Sequence, residues 1–317
     1  MTHRLRKAFV LGAGLGTRLR PLTNVLPKPL LPIFGKPLIS FALDHLHWLG
    51  IDDVWINTHY HPRKFAALVS NRQYRNIELV FEPALLETGG GIKNLERKIG
   101  NETFVVYSGD ILTDIPMERL LDIHFERQND VTLALRSTGL SSAVSWCRQT
   151  GRILDLFRNA GSSHGYDFAG ISVWNPSVFA RIPERTKISF VPILAEWLKG
   201  GGKIGGVLFE DGYWFNVGSR NEYLRLHQVI ASQRWSPKYV QSSDWPMHID
   251  PSASVLAGSK VEGASYVADS CRIARNVLIR DSVVMRGSTL SNGVSLQSCI
   301  VAGAEVPTGS YVGKDFV

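Results

Sequence analysis

The chain has 317 residues, a formal net charge of +7 and 44% hydrophobic residues. That length exceeds one average domain and supports a full apolar core, so one large domain or two is expected. The basic balance raises nucleic acid as a partner, but the lysines and arginines are scattered and no reader motif is present, so the charge fits a basic enzyme with anionic substrates and no nucleic-acid partner. Cys147, Cys271 and Cys299 are far apart and odd in number. They make neither a metal spacing nor a disulfide framework, which fits a reducing, cytoplasmic compartment. The apolar run at residues 8–11 is too short for a signal peptide, and no stretch approaches the roughly twenty apolar residues of a membrane span, so no membrane association is expected.

Residues 7–11 read as a buried strand. Directly after it comes Gly12-Ala13-Gly14-Leu15-Gly16-Thr17-Arg18-Leu19, then Pro27-Lys28-Pro29. Three glycines let backbone N–H groups approach a ligand closely. Arg18 offers a planar fork suited to phosphate oxygens, and two prolines restrict where Lys28 can go. Such a loop expects a polyphosphate, most simply a nucleoside triphosphate. Its spelling is not a Rossmann fingerprint, because Thr17 stands at the third glycine position, and not a P-loop, because Gly16-Thr17-Arg18 replaces Gly-Lys-Ser/Thr.

Further along, the spacing predicts a helix over 38–48, a strand over 53–57, a short helix over 63–70 and a strand over 77–81. A helix over 90–99 and a strand over 103–107 follow. Strands alternating with helices imply βαβ units in a sheet covered on both faces, whose ligands lie beyond the carboxyl ends of the strands. The glycine loop and Asp110, in Ser108-Gly109-Asp110, both fall there. Residues 131–135 and 171–173 read as later strands, and 190–198 and 224–233 as helices.

The tail differs. Ile249, Val255, Val261, Val267, Ile273 and Ile279 recur at every sixth position, and after a phase slip the beat resumes at Val294, Ile300, Val306 and Val312. Small residues fill the gaps. A hexapeptide period predicts a left-handed parallel β-helix of about four coils, with the aliphatics stacked inside. The expected organisation is a Rossmann-like α/β domain with a mixed, mostly parallel sheet over 1–240, then a short left-handed β-helix over 245–317.

Gly-x-Gly-x-Gly-Thr-Arg-Leu-x-Pro-Leu-Thr, followed by Pro-Lys-Pro-Leu and Gly35-Lys36-Pro37, resembles the opening of the sugar-1-phosphate nucleotidylyltransferases. The resemblance implies transfer of a nucleotidyl group from an NTP to a sugar-1-phosphate, giving NDP-sugar and pyrophosphate with Mg2+. It implies that Leu11, Gly12, Ala13, Gly14, Gly16, Thr17 and Arg18 contact the nucleotide, Arg18 through the β- and γ-phosphates. Lys28 would contact the α-phosphate and the incoming sugar phosphate, and Asp110 would bind the metal. The segment Tyr213 to Ser219 resembles one that usually carries aspartate where this chain has Asn216. An asparagine fills that role in the related N-acetylglucosamine-1-phosphate uridylyltransferases, so Asn216 stays the second metal ligand. Its missing charge leaves open a catalytically weak regulatory subunit that binds nucleotide-sugar.

Glu87-Thr88-Gly89-Gly90-Gly91 resembles the nucleobase loop, which implies that Glu87, Gly89 and Gly90 bind the nucleotide, with Gly89 and Gly90 nearest the base. Its spelling is similar to N-acetylmuramate-1-phosphate uridylyltransferases, as is Phe168-Ala169-Gly170-Ile171-Ser172, which places Gly170 and Ser172 at the sugar. Those enzymes usually lack a β-helix tail, whereas mannose-1-phosphate guanylyltransferases carry one. The base is thus expected to be uracil or guanine, and the sugar N-acetylmuramate, mannose or a relative. The family's usual mid-chain sugar-phosphate lysine has no counterpart here, and Arg158 stands nearest as a substitute cation. His59 and His61 read as exposed loop residues rather than metal ligands. The tail implies a homo-oligomer. A β-helix acyltransferase is the remaining alternative, and only His248, at the tail's entrance, speaks for it.

Overall fold

The computed structural model describes residues 5–70, 73, 74, 76–157 and 165–317. The chain divides into two compact units whose segments interleave along the sequence: residues 1–14 with 42–214, and residues 15–41 with 215–317.

The first unit is built on nine strands. They are β1 (Lys7–Leu11), β2 (Asp53–Thr58), β3 (Ile77–Phe81), β4 (Phe104–Ser108), β5 (Val131–Arg136), β6 (Ser145–Cys147), β7 (Arg152–Asp155), β8 (Asp167–Trp174) and β9 (Ile204–Leu208). Their order across the sheet is β3-β2-β1-β4-β8-β5-β9-β7-β6. The pairings put all strands but β8 and β7 in one direction, so the sheet is mixed and mostly parallel. β1 reads as an unbroken apolar run because it is central: Ala8, Phe9 and Val10 are all fully buried. After β1 the chain moves to β2 and β3 on one side, then returns to β4 on the other. The sheet therefore reverses its winding between β1 and β4, the place where sheets of this kind bind ligands.

Helix α1 (Leu38–Trp48) is followed by α2 (Glu87–Asn94), α3 (Met117–Glu126) and α4 (Phe190–Lys199). The expected helix over 90–99 starts three residues earlier and breaks at Leu95 before a single turn, Glu96–Ile99. Two elements give little pattern in the sequence. β9 contains Gly205 and Gly206, which lower strand propensity. A Cβ on Gly206 would lie 2.7 Å from Leu135 and 2.9 Å from Trp146, so side chains of neighbouring strands fill the space. α3 shows only Met117, Leu120 and His124 to the interior. The apolar core runs from Phe9 through Ile92, Phe104, Leu133 and Trp174 to Trp197.

In the second unit, β10 (Trp214–Asn216) leads into α5 (Arg220–Gln233), where Ser219 Oγ accepts from Glu222 N as a helix cap. Residues 15–41 join this unit through a tight hairpin, Pro32–Ile33 paired with Lys36–Pro37. Tyr223 Oη donates to Pro32 O at 2.6 Å and Trp245 Nε1 to Ile33 O at 2.9 Å. Phe34, fully buried at the hairpin tip, meets His227, His248 and Tyr266 with ring centroids 4.8, 4.9 and 6.5 Å away.

Beyond it lies the left-handed parallel β-helix, with three faces of four short parallel strands and four coils. Val267, Val284 and Val301 stack on one face, and Ile273, Leu290 and Val306 on another. The beat after the slip differs from the expected one. Val261 pairs with Ile279, 18 residues on, but Val267 pairs with Val284, only 17 on. The coil shortens by one residue, so Leu290 and Leu296 carry the inward columns. Val294 and Ile300 are also buried, whereas Val312 is 69% exposed: Tyr311 takes the column above Leu296, and its neighbour faces outward. Cys271 and Cys299 are buried free thiols within this stack.

Candidate active site

Three structural features of the first unit converge at the β1 and β4 ends. Leu11 pairs with Ser108 in parallel register, and Gly109 N donates to Leu11 O at 3.0 Å. The start of the glycine loop and the turn carrying half-buried Asp110 therefore emerge side by side. The β8 register sets Ile171 against Tyr107, and a Cβ on Gly170 would lie 3.1 Å from Ser108 Oγ, so Gly170 borders the same turn. Thus the loop start, the Asp110 turn and Gly170 lie together at one end of the sheet.

The loop's amides divide into two groups. Gly12 N and Ala13 N both donate to Asn57 Oδ1, at 2.7 and 3.2 Å. Asn57 Nδ2 donates to Glu82 Oε1 at 2.9 Å, and Glu82 Oε2 accepts from Leu86 N at 3.1 Å. The first two amides are therefore taken by the protein. For Gly14 to Arg18 the structure records no backbone N–H partner among the described residues. Unpaired successive amides are a ready anion site. Sequence reasoning missed Asn57 and Glu82. The available signal was their place: each is a polar residue closing an apolar parallel strand, at the end where ligands bind.

Within the second unit, Gly16 sits at φ +60, a left-handed conformation that favours glycine. Its carbonyl accepts from Thr23 Oγ1 at 2.9 Å, and its missing Cβ would stand 3.2 Å from Lys28 Cβ. Lys28 is only 8% exposed, held in the turn Lys28–Leu30 between its prolines. Thr17 and Arg18 are exposed. The Arg18 guanidinium lies against Gly218, where a Cβ would come within 3.0 Å of Nη2, and Gly218 N donates to Glu222 Oε2 at 2.8 Å. Two residues earlier, Asn216 Oδ1 is buried with no hydrogen-bond partner. A buried orphan carbonyl oxygen is costly unless something absent from the chain satisfies it.

That oxygen is the test of the implied metal. Magnesium takes oxygen ligands, keeps several waters and needs one or two side chains. Among the described residues no cluster of three or more His, Cys, Asp or Glu could hold a metal. The unpaired Asn216 amide oxygen is a hard oxygen donor of the kind magnesium takes, unlike the nitrogen and sulfur donors of a zinc site. His59 Nδ1 pairs with Glu82 O at 2.7 Å.

The glycines of the expected base loop have a structural cause of their own. Gly89 N and Gly90 N donate to Ile188 O at 2.8 and 3.1 Å. A Cβ on Gly90 would stand 2.4 Å from Thr186 O, and one on Gly89 2.8 Å from Ile188 O. Their close approach is to the chain's own segment 186–189. Glu87 begins α2 at φ +60, a strained value for a non-glycine residue, with its carboxylate 3.9 Å from Lys187 Nζ. Ser172, expected at the sugar, is 1% exposed, and its Oγ accepts from Trp174 Nε1 at 2.7 Å. Arg158 lies outside the described residues.

At the start of β8, Asp167 is 3% exposed and anchors loop 138–142. Its carboxylate accepts from the backbone N of Thr138, Leu140, Ser141 and Ser142 and from the Thr138 and Ser141 hydroxyls. Burial pushes its pKa up, but these donors outweigh it and hold the carboxyl well below the usual carboxylate range.

A winding reversal between β1 and β4 and a glycine loop with an open run of amides mark an α/β protein with a loop suited to anions, followed by a β-helix tail. The nucleotidyl transferase family model matches residues 7–233, and the chain belongs to this family. It is 34% identical over 235 residues to a mannose-1-phosphate guanylyltransferase of Mycobacterium tuberculosis, covering 71% of this chain and 64% of that protein. The chain thus spans about two thirds of that relative's length. A UTP–glucose-1-phosphate uridylyltransferase of Synechocystis is 23% identical, with 94% of this chain and 87% of that one covered. A solved structure described as a putative glucose-1-phosphate thymidylyltransferase from Bacillus anthracis superposes with a TM-score of 0.62 at 22% identity, over 70% of this chain and 93% of its own. That likeness concerns the fold. No helix among the described residues is long and apolar enough to cross a membrane.

Proposed function

We propose that the protein transfers a nucleotidyl group from an NTP to a sugar-1-phosphate, releasing pyrophosphate. The observation that carries this reading is the run of open amides from Gly14 to Arg18, which follows the central strand whose end is tied to the Asp110 turn. The sugar phosphate oxygen attacks the α-phosphorus, the bond to the β-phosphate bridging oxygen breaks, and that oxygen keeps the electron pair. Both reactants are anions, so the protein's work is to align them and offset charge. In this reading Arg18 and the open amides hold the β- and γ-phosphates, and Lys28 meets the α-phosphate and the attacking phosphate. Asp110 and Asn216 would hold magnesium, which neutralises phosphate oxygens when bound. Residues 1–240 form the catalytic part and 245–317 an assembly platform.

The 34% identity to the mycobacterial guanylyltransferase supports GTP and mannose-1-phosphate as the first pair to test. The base-loop spelling keeps UTP and N-acetylmuramate-1-phosphate in the matrix. Pyrophosphate release from each combination of GTP and UTP with mannose-, glucose- and N-acetylmuramate-1-phosphate is the experiment. Release in at least one combination is expected, and silence in all would overturn the reading. Asn216, which brings no charge, favours one second reading: a regulatory subunit, marked by tight nucleotide-sugar binding without turnover.

A further inference from the structure

The loop that would grip the triphosphate does not stand alone. Its first two residues are fastened through two buried side chains to the segment that begins the expected base loop. Asn57 is 4% exposed and Glu82 1%. Asn57 accepts twice with Oδ1, from Gly12 N and Ala13 N, and donates once with Nδ2, to Glu82 Oε1. Glu82 then accepts from Leu86 N, one residue before the strained Glu87. With its partner unchanged, position 57 needs a group with both an acceptor and a donor end, and position 82 needs two acceptors. Three strand ends, those of β1, β2 and β3, are crossed by this one chain of bonds. Gly91 of α2 packs closely on it: a Cβ there would lie 3.2 Å from Glu82 Oε1 and 3.4 Å from Asn57 Nδ2.

We propose that Asn57 and Glu82 are positioning residues for the nucleotide. By consuming the Gly12 and Ala13 amides they fix the start of the loop, so that the next amides stay open to phosphate. By holding Leu86 they set that loop at a fixed separation from the base loop. The proposal rests on the nucleotidyl-transfer reading, and it adds two residues that touch no substrate themselves. Neither could be replaced by a residue of similar size without leaving a buried group unpaired. An aspartate at 57 would face the Glu82 carboxylate at hydrogen-bond distance. A glutamine at 82 would turn an N–H toward Leu86 N.

The pattern makes an exchange test possible. In the double variant Asn57→Asp with Glu82→Gln, the carboxylate at 57 accepts from Gly12 N, Ala13 N and the new amide. The carbonyl oxygen of that amide accepts from Leu86 N, so every bond is restored with donor and acceptor exchanged. Each single variant is expected to raise KM for the NTP by about ten-fold or more, while KM for the sugar phosphate stays within about two-fold. Amide hydrogen exchange at Gly12, Ala13 and Leu86 should quicken in the singles, and the double should return both readouts toward wild type. A double no better than either single, or singles with wild-type exchange and KM, would overturn the proposal. If the wild type turns over no substrate pair, the transfer reading falls on its own. The exchange rates of the three amides then still decide whether the pair holds the loop.

Discussion

Lys28 shows how a residue's setting defines its chemistry. A lysine 8% exposed between two prolines has little conformational freedom to lose on meeting a phosphate. Lys28→Met keeps the apolar stem and removes the charge. Turnover should fall about 100-fold or more while the thermal midpoint holds, because the lost charge matters most where charge develops. Steady-state kinetics with a melting curve checks this, and unchanged kcat would remove Lys28 from the phosphates. Asn216→Asp adds a charge at the orphan oxygen. The magnesium concentration for half-maximal activity should drop, and a collapse of activity would show that the position does other work. Both residues were legible in the sequence through their motif. Asn57 and Glu82 were not, because a buried amide and a buried carboxylate acquire meaning only from the partners that three separate strands bring to them.

At the scale of elements, the decisive contact is between α2 and segment 186–189. The sequence shows three glycines and invites the conclusion that a ligand needs the room. In the fold, Thr186 O occupies the place where a Gly90 Cβ would be, at 2.4 Å. Gly90→Ala should therefore destabilise the protein by about 1–3 kcal/mol through overpacking, before any effect on catalysis. Urea unfolding measures it. A stability loss near zero together with a raised KM for NTP would instead return Gly90 to the base. The same scale explains what pattern reading found easily. β1, β2 and β4 are apolar runs because the sheet covers them on both faces. β9, with two glycines, and the β6–β7 hairpin carry too little periodicity to stand out.

For the molecule as a whole, burial of three histidines predicts acid sensitivity. Desolvation lowers His45 to about 3, and His124 and His227 to about 4. His124 is helped back slightly by Asn175 and Asp130, and His45 shares a 3.2 Å hydrogen bond with Tyr107 Oη. Between about pH 6.5 and 4 the unfolded chain takes up protons that the folded chain refuses. Stability is thus fully present above about pH 6.5 and lost as pH falls, by about 2 kcal/mol per histidine at pH 5. Urea midpoints at pH 7 and pH 5 should separate clearly, and coincident midpoints would mean that these rings protonate in the folded state.

The amino-acid order by itself determined the glycine loop after the first strand, the alternating α/β architecture and the coil count of the tail. Each of these is a local pattern: a spelling, a strand end or a six-residue beat. Tertiary structure decided which groups are spent and which are free. It took the Gly12 and Ala13 amides for Asn57, turned the Ser172 hydroxyl to Trp174 and set Tyr311 rather than Val312 in the β-helix column. It also left the Asn216 oxygen unpaired. The physical reason is that a hydrogen-bonding group's availability depends on residues tens of positions away, and their approach is a property of packing that no window of sequence contains.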